Sequence, residues 1–336
     1  MDDRYSRQIR FQPIGEVGQE KINSKHVLIV GCGALGSANA ESLVRAGIGK
    51  LTIVDRDYVE ESNLQRQQLF TEKDVEEKIP KAIAAKKHLM KINHHVTIHA
   101  HVMDVTSLTL SELLHDVDLV IDATDNFDTR FILNDTLQQQ RIPWIFGSCA
   151  GSTGMSFTII PNETPCLRCL LQSMPINGST CDAAGIIGPA VQMVVAHQTT
   201  EALKLLTHAT NKLRANYLTF DLWNNLFQTI DMGRAKNHDC PTCGVNPTYP
   251  ALDYQNQLKT EVLCGRDTVQ LRRGTNLSLL DLAKRFESFT SVKQNDFLLS
   301  IEYLNYRIVF FHDGRTFIHG TNSITAAKKI YYQLVG

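Results

Sequence analysis

Two pairs of cysteines have the spacing of metal ligands. Cys166 and Cys169 form one C-x-x-C motif, and Cys240 and Cys243 form a second one further along the chain. Each motif can place two thiolates on one ion, and two such motifs complete a tetrahedral shell. Zinc suits a closed site of four sulfurs, so we predict a structural zinc site at these residues. An iron–sulfur cluster is the alternative interpretation.

A glycine-rich segment follows the first short apolar run of the chain. Gly31, Gly33 and Gly36 fit the pattern G-x-G-x-x-G between a predicted buried strand and a predicted helix. Glycines at these positions allow a tight turn and let the backbone approach a phosphate at the positive end of the helix. Asp55 ends the second apolar run, where a carboxylate can accept hydrogen bonds from ribose hydroxyls. The pattern predicts a nucleotide site, and its first interpretation is an NAD-dependent oxidoreductase.

Polar residues beyond this loop favour phosphate chemistry over hydride transfer. Asn63 and Arg66 lie in a polar segment that follows Asp55, and Lys81 begins the next predicted helix. A nucleotidyl transferase needs such groups because negative charge builds on the α-phosphate and on the leaving pyrophosphate. A hydride-transferring enzyme does not require them. Taken singly, Arg66 and Lys81 have an alternative interpretation as solvated charges on the surface. As a set with Asn63, they indicate phosphate binding.

A third predicted strand ends in two acidic residues, Asp122 and Asp125. Carboxylates at the carboxyl ends of parallel strands face the crevice in which such sheets bind ligands. Magnesium accompanies ATP and prefers oxygen ligands, often one or two carboxylates. We expect Asp125 to bind the magnesium, because Asp122 falls on the strand itself, where its role can be structural. A helix N-cap is the alternative role for Asp125.

One cysteine stands apart from the two motifs. Cys181 lies in a segment rich in glycine and small residues. A thiol in such a segment can act as a nucleophile if its pKa is lowered. An incidental cysteine is the alternative, and we expect Cys32, Cys149 and Cys264 to be packing residues.

The order of apolar runs and helical patterns indicates an α/β fold. Strand, helix and strand alternate from the start of the chain, which predicts a doubly wound, Rossmann-like, mostly parallel sheet. A proline-containing segment at 244–252 marks a change of composition. We therefore predict a nucleotide-binding domain over residues 1–248, which includes the zinc site. A small C-terminal α+β domain over residues 253–336 is expected to follow it.

The composition is that of an ordinary globular enzyme. The 336 residues are 43% hydrophobic and carry a net charge of −1, so we expect neither a nucleic acid nor a membrane as a partner. No apolar run approaches the roughly 20 residues of a membrane helix. The N-terminal residues do not have the pattern of a secretory signal, and we expect a cytoplasmic protein.

The motifs taken together resemble the MoeB/ThiF/HesA family, bacterial relatives of ubiquitin-activating enzymes. The resemblance covers roughly residues 3–245. It is carried, in chain order, by Arg4-Tyr5-Ser6-Arg7-Gln8, the glycine-rich segment, Ser62-Asn63-Leu64-Gln65-Arg66-Gln67, Pro80-Lys81, Asp122-Ala123-Thr124-Asp125-Asn126, the two C-x-x-C motifs and Thr180-Cys181.

The resemblance implies an adenylyltransferase that binds ATP and magnesium. Such an enzyme activates the C-terminal Gly-Gly carboxylate of a ubiquitin-like sulfur-carrier protein, giving an acyl-adenylate and pyrophosphate. The implied roles are ribose binding for Asp55, magnesium handling for Asp125, and phosphate binding for Asn63, Arg66 and Lys81.

The resemblance also implies a homodimer, in which an N-terminal arginine of one subunit reaches the nucleotide of the other. Arg7 matches that position. In members of the thiamine pathway the cysteine that matches Cys181 can bond covalently to the carrier. The predicted pathway is molybdenum-cofactor biosynthesis with a MoaD-like carrier, and thiamine thiazole biosynthesis with a ThiS-like carrier is the alternative. The C-terminal domain is too small for the sulfur-donating domain of some relatives, so a separate sulfur donor is expected.

Overall fold

The chain forms two compact units, Met1–Gln255 and Asn256–Gly336. The computed structural model describes residues 3–173, 185–252, 260–263, 267–272, 277–287 and 291–335. Cys181 and Cys264 lie outside the described residues. Among the helices in the ranges given above, none combines the length and the apolar character needed to span a bilayer.

An eight-stranded mixed sheet lies at the centre of the first unit. Its strands are β1 (His26–Val30), β2 (Lys50–Asp55), β3 (Thr97–Val102), β4 (Leu119–Asp122), β5 (Trp144–Ala150), β6 (Thr153–Ile159), β7 (Tyr217–Asp221) and β8 (Leu226–Ile230). Their order is β3-β2-β1-β4-β5-β6-β7-β8. The first five strands in this order are parallel, and β5 to β8 pair antiparallel.

Helices cover both faces of the parallel half. The helices of the first unit are α1 (Ser6–Ile9), α2 (Gly15–Ser24), α3 (Ala34–Ala46), α4 (Glu72–Glu76), α5 (Lys81–Ile92), α6 (Ser107–Leu113), α7 (Phe127–Gln140), α8 (Leu167–Ser173) and α9 (Gly188–Leu206). Alternate residues of β1 enter opposite cores, because side chains of a strand point to alternate faces. Ile29 packs in one core with Leu43 of α3, and Leu28 packs in the other with Leu133 of α7. The predicted doubly wound, mostly parallel sheet is therefore confirmed.

The second unit is an antiparallel sheet with two helices. Its strands are β9 (Thr260–Leu263), β10 (Thr268–Arg272), β11 (Val292–Gln294), β12 (Leu298–Tyr303), β13 (Tyr306–Phe311) and β14 (Arg315–His319), and its helices are α10 (Leu279–Arg285) and α11 (Ile324–Val335). The strand order is β11-β12-β13-β14-β10-β9. Leu282 and Ile330 of the helices pack on Ile308 and Ile318 of the sheet. This arrangement confirms the small α+β appendage predicted at the C-terminus.

The register of the central strands brings three strand ends together. Val30, the last residue of β1, pairs with Val54 of β2 on one side and with Asp122 of β4 on the other. The order in which the chain adds strands reverses at β1. From β1 the chain adds β2 and β3 on one side, and then β4 and β5 on the other side. Open α/β sheets bind ligands at such a switch point, outside the carboxyl ends of the strands.

The glycine-rich segment follows β1 at this switch point and packs backbone against backbone. Gly31 has a φ of +91°, and a Cβ added to it would lie 2.5 Å from the carbonyl oxygen of Ala123. A Cβ on Gly36, in the first turn of α3, would overlap the carbonyl oxygen of Gly31. Glycine at these two positions therefore lets α3 begin directly against the ends of β1 and β4.

We expect Gly36→Ala to lower the free energy of unfolding by about 1–3 kcal/mol, because the added methyl group must displace backbone atoms. Gly188→Ala is a matched control at the start of α9, where the nearest atom to an added Cβ is the Gln65 carbonyl oxygen at 3.8 Å. The control should match the natural protein or be slightly more stable. Urea denaturation of both variants measures the difference; equal stability of Gly36→Ala and the control would contradict the packing argument.

Candidate functional site

The carboxylate of Asp55 is fixed beside the glycine-rich segment by two backbone groups. Its Oδ2 accepts a hydrogen bond from the N–H of Cys32 at 2.5 Å, and its Oδ1 accepts one from the N–H of Asp57 at 2.6 Å. Burial raises the pKa of the Asp55 carboxyl, and the nearby Lys81 ammonium acts in the opposite direction. A carboxylate has about four acceptor positions, so two remain for donors such as hydroxyl groups of a ligand.

The three glycines have different surroundings. Around Gly33 the nearest atom to an added Cβ is Nε2 of Gln67, at 3.8 Å, so this side of the turn is open. Gly31 and Gly36 are in tight backbone contact, as described above. The backbone at Gly33 can consequently be approached by a ligand at the N-terminus of the 13-residue helix α3, where the helix dipole favours negative charge.

Asn63 and Arg66 lie on a short turn that follows β2. Asn63 ends a 3-10 segment and is buried, and its Oδ1 accepts a hydrogen bond from the N–H of Glu60 at 3.1 Å. Arg66 is half-buried, and its Nη1 donates to the carbonyl oxygen of Ser62 at 2.8 Å. The asparagine therefore holds the turn together, while the guanidinium retains further donors for an anion.

Gln67 also lies in this group, although its residue type did not distinguish it from its neighbours in the sequence. Its side chain is only 3% exposed. Its Oε1 is buried and has no hydrogen-bond partner within the described part of the chain. A buried amide oxygen without a partner is costly, and such groups often await a ligand or a water molecule. The only signal for it in the sequence is its place at the end of the segment Ser62-Asn63-Leu64-Gln65-Arg66-Gln67, one of those that carry the family resemblance.

Lys81 and Asp57 form a buried ion pair next to Asp55. Lys81 is the first residue of α5 and is 3% exposed. Its Nζ lies 3.0 Å from Oδ2 of Asp57, and its backbone N–H donates to the Asp57 carbonyl oxygen at 2.9 Å. Lys81, for which phosphate binding is predicted, is therefore held near Asp55 by Asp57, a residue for which the sequence predicts no role.

The two acids after β4 have different surroundings. Asp122 is fully buried, and its Oδ2 accepts a hydrogen bond from Nε of Arg130 at 3.0 Å. Burial raises the pKa of Asp122, and Arg130 opposes the shift. Asp125 is exposed, and its Oδ1 accepts a long hydrogen bond of 3.5 Å from Nδ2 of Asn126. Asp122 thus anchors α7 to the strand, while Asp125 faces solvent.

The N-cap interpretation of Asp125 is wrong. The N-cap of α7 is Asn126, whose Oδ1 accepts a hydrogen bond from the N–H of Thr129 at 2.8 Å. Asn126 satisfies the helix terminus, so the carboxylate of Asp125 is not used for that purpose. Asp125 also follows Ala123 and Thr124, whose backbone touches Gly31. Its position is therefore beside the glycine-rich segment.

Arg7 lies far from this group within its own chain. It is exposed on α1, and the next residue, Gln8, donates from Nε2 to the carbonyl oxygen of Ala46 at 2.9 Å. Ala46 is the last residue of α3, whose first turn lies at the glycine-rich segment. A helix of 13 residues is about 20 Å long. The structure therefore does not bring Arg7 together with the other predicted site residues of the same chain.

The four cysteines of the C-x-x-C motifs converge on one point. The Sγ atoms of Cys166 and Cys240 are 3.6 Å apart, and those of Cys169 and Cys243 are 3.5 Å apart. All four sulfurs lie within 4.8 Å of one another. Ligands at about 2.3 Å from a tetrahedral zinc ion are separated by about 3.8 Å. The four cysteines therefore fit a metal ion with tetrahedral thiolate coordination.

Side chains around this cysteine cluster tie it to α7. Thr242, between Cys240 and Cys243, donates from Oγ1 to Oδ1 of the buried Asp135 at 2.5 Å. Oδ2 of Asp135 accepts a hydrogen bond from the N–H of Ala251 at 2.8 Å. Arg168, within the first motif, donates from Nε to Oγ1 of Thr242 at 3.1 Å. The cluster thus holds α7 in place, and α7 carries Asp125 just before its N-terminus.

The remaining described cysteines are packing residues, as expected. Cys32 is fully buried in the glycine-rich segment, and burial raises the pKa of its thiol well above the usual value. Cys149 is buried on β5 against Val191 of α9. A raised pKa keeps a thiol protonated and unreactive.

Comparisons with known proteins identify the family of the chain. The ThiF family matches residues 5–242. A protein of Bacillus subtilis (strain 168) named sulfur carrier protein ThiS adenylyltransferase is 48% identical over 339 residues, which cover 100% of both chains. A Thermus thermophilus protein named sulfur carrier protein adenylyltransferase is 36% identical over 271 residues, covering 78% of this chain and 96% of its own.

A solved structure shares the fold. Escherichia coli MccB in its crystal structure with ATP superposes with a TM-score of 0.62 at 22% identity, over 73% of this chain and 75% of that chain. A second MccB structure gives a TM-score of 0.63 at 20% identity, over 74% of each chain. On the matched range and on its identity to the Bacillus and Thermus proteins, the chain belongs to the ThiF family.

Proposed function

We propose that this chain uses ATP to adenylate the C-terminal carboxylate of a ubiquitin-like sulfur-carrier protein. The observation that carries the proposal is the convergence of an open helix N-terminus at Gly33, the fixed acid Asp55 and the buried cation Lys81 at one switch point. Full-length relatives named as sulfur-carrier adenylyltransferases support it.

Different residues of the site bind different parts of ATP. Asp55, with two acceptor positions left, binds the ribose hydroxyls, and the backbone at Gly33 receives phosphate oxygens. Arg66 and Lys81 balance the charge on the triphosphate, and Asn63 keeps the turn that carries Arg66 in shape. Magnesium, when bound, neutralises phosphate charge, and the exposed carboxylate of Asp125 is the residue that would hold it.

The reaction is an attack by the carrier's terminal carboxylate on the α-phosphorus of ATP. A bond forms between the carboxylate oxygen and the α-phosphorus, and the bond from that phosphorus to the bridging oxygen of pyrophosphate breaks. A carboxylate is a poor acyl donor, and the mixed anhydride with AMP supplies a good leaving group for the later sulfur transfer. Lys81 and Arg66 contribute most where charge builds on the leaving pyrophosphate.

A ThiS-like carrier of thiazole biosynthesis is favoured over a MoaD-like carrier of molybdenum-cofactor biosynthesis. The relative named ThiS adenylyltransferase matches the whole chain, including the region of the C-terminal unit. The Thermus relative with the broader name matches 78% of the chain. A separate protein donates the sulfur, and the enzyme works in the cytoplasm.

Incubation with ATP, magnesium and either a ThiS-like or a MoaD-like carrier tests the proposal. Intact-mass spectrometry should detect the carrier adenylate, with the ThiS-like carrier converted faster. Asp125→Ala should reduce the rate at least about 100-fold, because the triphosphate loses its metal-directed carboxylate. Asp128→Ala is the matched control, an exposed acid in the first turn of α7, and should act like the natural enzyme.

Two outcomes would count against these assignments. Absence of adenylate with both carriers contradicts the proposed function, and full activity of Asp125→Ala contradicts the role of that residue. The variant Cys181→Ser in the same assay addresses covalent capture: a carrier–enzyme conjugate that persists in this variant excludes Cys181 as the point of attachment.

Arg7 acts on the nucleotide of a partner subunit in a homodimer. Its own glycine-rich segment is about a helix length away, as shown by the contact of Gln8 with the far end of α3. Arg7 is exposed on an anchored N-terminal segment, so it is suited to bind phosphate of a second subunit. In a two-fold interface, the Arg7 of each subunit can reach the nucleotide of the other in the same way.

Mixing two inactive variants tests this arrangement. Arg7→Ala and Lys81→Met should each lose most activity, because each removes a phosphate-directed cation. In a heterodimer of the two, one site carries both lesions and the other carries neither, so re-assembly of an equal mixture should restore about a quarter of full activity. Arg10→Ala, also exposed, is the control and should retain activity alone. An Arg7 that acts within its own chain would give no recovery.

Zinc is the ion that the cysteine cluster holds. The four sulfurs fit a closed tetrahedral site without an open position, which suits a structural zinc. Elemental analysis should find about one zinc per chain, and Cys240→Ser should lose the metal and unfold at lower temperature. Cys149→Ala, which changes a buried cysteine outside the cluster, should keep it. Iron with the visible absorption of an iron–sulfur cluster would contradict the assignment.

A further inference from the structure

Lys81 occupies a position that is unfavourable for a positive charge. It is the first residue of the 12-residue helix α5, and the first turn of that helix has no acidic residue. The N-terminus of a helix carries partial positive charge, so an ammonium group there is destabilised. The side chain is also buried, and removing an ammonium group from water is costly unless it is paired. Some other group must therefore offset both effects.

Asp57 is the group that faces this ammonium. Its Oδ2 lies 3.0 Å from Nζ of Lys81, and its carbonyl oxygen accepts the backbone N–H of the same residue at 2.9 Å. Side chain and backbone of Asp57 thus hold the side chain and backbone of one lysine. The side chain of Asp57 is 17% exposed, so the pair is largely shielded from water.

The position of Asp57 is in turn fixed from the nucleotide side. Its N–H donates to Oδ1 of Asp55, and Oδ2 of Asp55 accepts the N–H of Cys32 in the glycine-rich segment. A continuous series of hydrogen bonds therefore runs from that segment through the two acids to Lys81. A change in the placement of Asp57 would move the ammonium relative to the acid that binds the ribose.

We propose that Asp57 is a positioning residue for the adenylation step, acting through Lys81. This inference rests on the proposed function. Asp57 holds and aims the ammonium before ATP arrives, so that the cation needs no reorganisation when charge develops on the phosphates. Preorganised charges of this kind contribute mainly to the rate of the chemical step, since misplacement by about 1 Å can cost about 100-fold.

A double-mutant cycle between Asp57 and Lys81 measures this coupling. Asp57→Asn keeps the shape of the side chain and removes its charge. It should lower the turnover number for carrier adenylation about 10- to 100-fold, with a much smaller change in the KM for ATP. In the Lys81→Met background the same substitution should have no further effect, because Asp57 then has nothing to position.

Asp118→Asn is the matched control. Asp118 also pairs with a lysine, since its Oδ1 lies 2.7 Å from Nζ of Lys25. This pair lies just before β1 and β4, at the ends of these strands away from the glycine-rich segment. Asp118→Asn should leave turnover unchanged. Independent, multiplicative losses in the double variant Asp57→Asn/Lys81→Met would overturn the proposal. Recovery of Asp57→Asn at raised magnesium would also overturn it, because Asp57 would then act on the metal.

A second measurement needs neither ATP nor a carrier. Acetic anhydride acetylates unprotonated, accessible amines, so peptide mass spectrometry can follow its reaction at Lys81. The pair with Asp57 should protect Lys81, and Asp57→Asn should speed its modification several-fold, while Asp118→Asn should not. An unchanged rate at Lys81 would overturn the positioning role. Faster labelling of Asp57→Asn in a protein that adenylates no carrier would show that Asp57 holds Lys81, but it would reject the proposed function and with it the role in adenylation.

Discussion

The whole site depends on one close contact, in which backbone meets backbone after β1. Gly31 and Gly36 allow the start of α3 to lie against the carbonyl of Gly31 and the residues after β4. Any larger side chain would push the helix away from the strand ends. Because the backbones are in direct contact, the N-terminus of α3 lies at the switch point. Gly33, between these two glycines, has open space beside it.

Buried charges then fix what surrounds the helix terminus. Each strand that flanks β1 ends in an acid, and each acid has a different use. Asp122 pairs with Arg130 inside the protein and anchors α7, whereas Asp55 receives two backbone N–H groups and keeps acceptor positions for a ligand. The cysteine cluster holds α7 further along its length, through the hydrogen bond between Thr242 and Asp135. The metal site and the nucleotide site are therefore linked by one helix without sharing any chemistry.

Much of this architecture could be predicted from the sequence because its signals are local. Short apolar runs mark the buried parallel strands, and two C-x-x-C motifs mark the cysteine cluster regardless of how the chain folds between them. The hairpin of β7 and β8 was missed for a physical reason. β8 is an edge strand whose residues are nearly all exposed, including Leu226 and Phe227, so it lacks the alternation that indicates a half-buried strand.

Roles that depend on the geometry of the folded chain could not be predicted. The N-cap of α7 falls to Asn126 instead of Asp125, and both residue types are good caps, so spacing alone does not decide between them. The sequence does not distinguish Asp57 from the other polar residues near it. Its role follows from the position of its Oδ2, 3.0 Å from Nζ of Lys81. The distance of Arg7 from its own glycine-rich segment follows from the contact between Gln8 and Ala46, which are 38 residues apart.

If the switch point binds ATP and not a dinucleotide, as we propose, calorimetric titration of the natural protein with each nucleotide should show it. We expect saturable binding of ATP in the presence of magnesium, at one site per chain, because Arg66 and Lys81 provide charge for a triphosphate. NAD should bind weakly or not at all under the same conditions. Tighter binding of NAD than of ATP would show that the site is built for a dinucleotide instead.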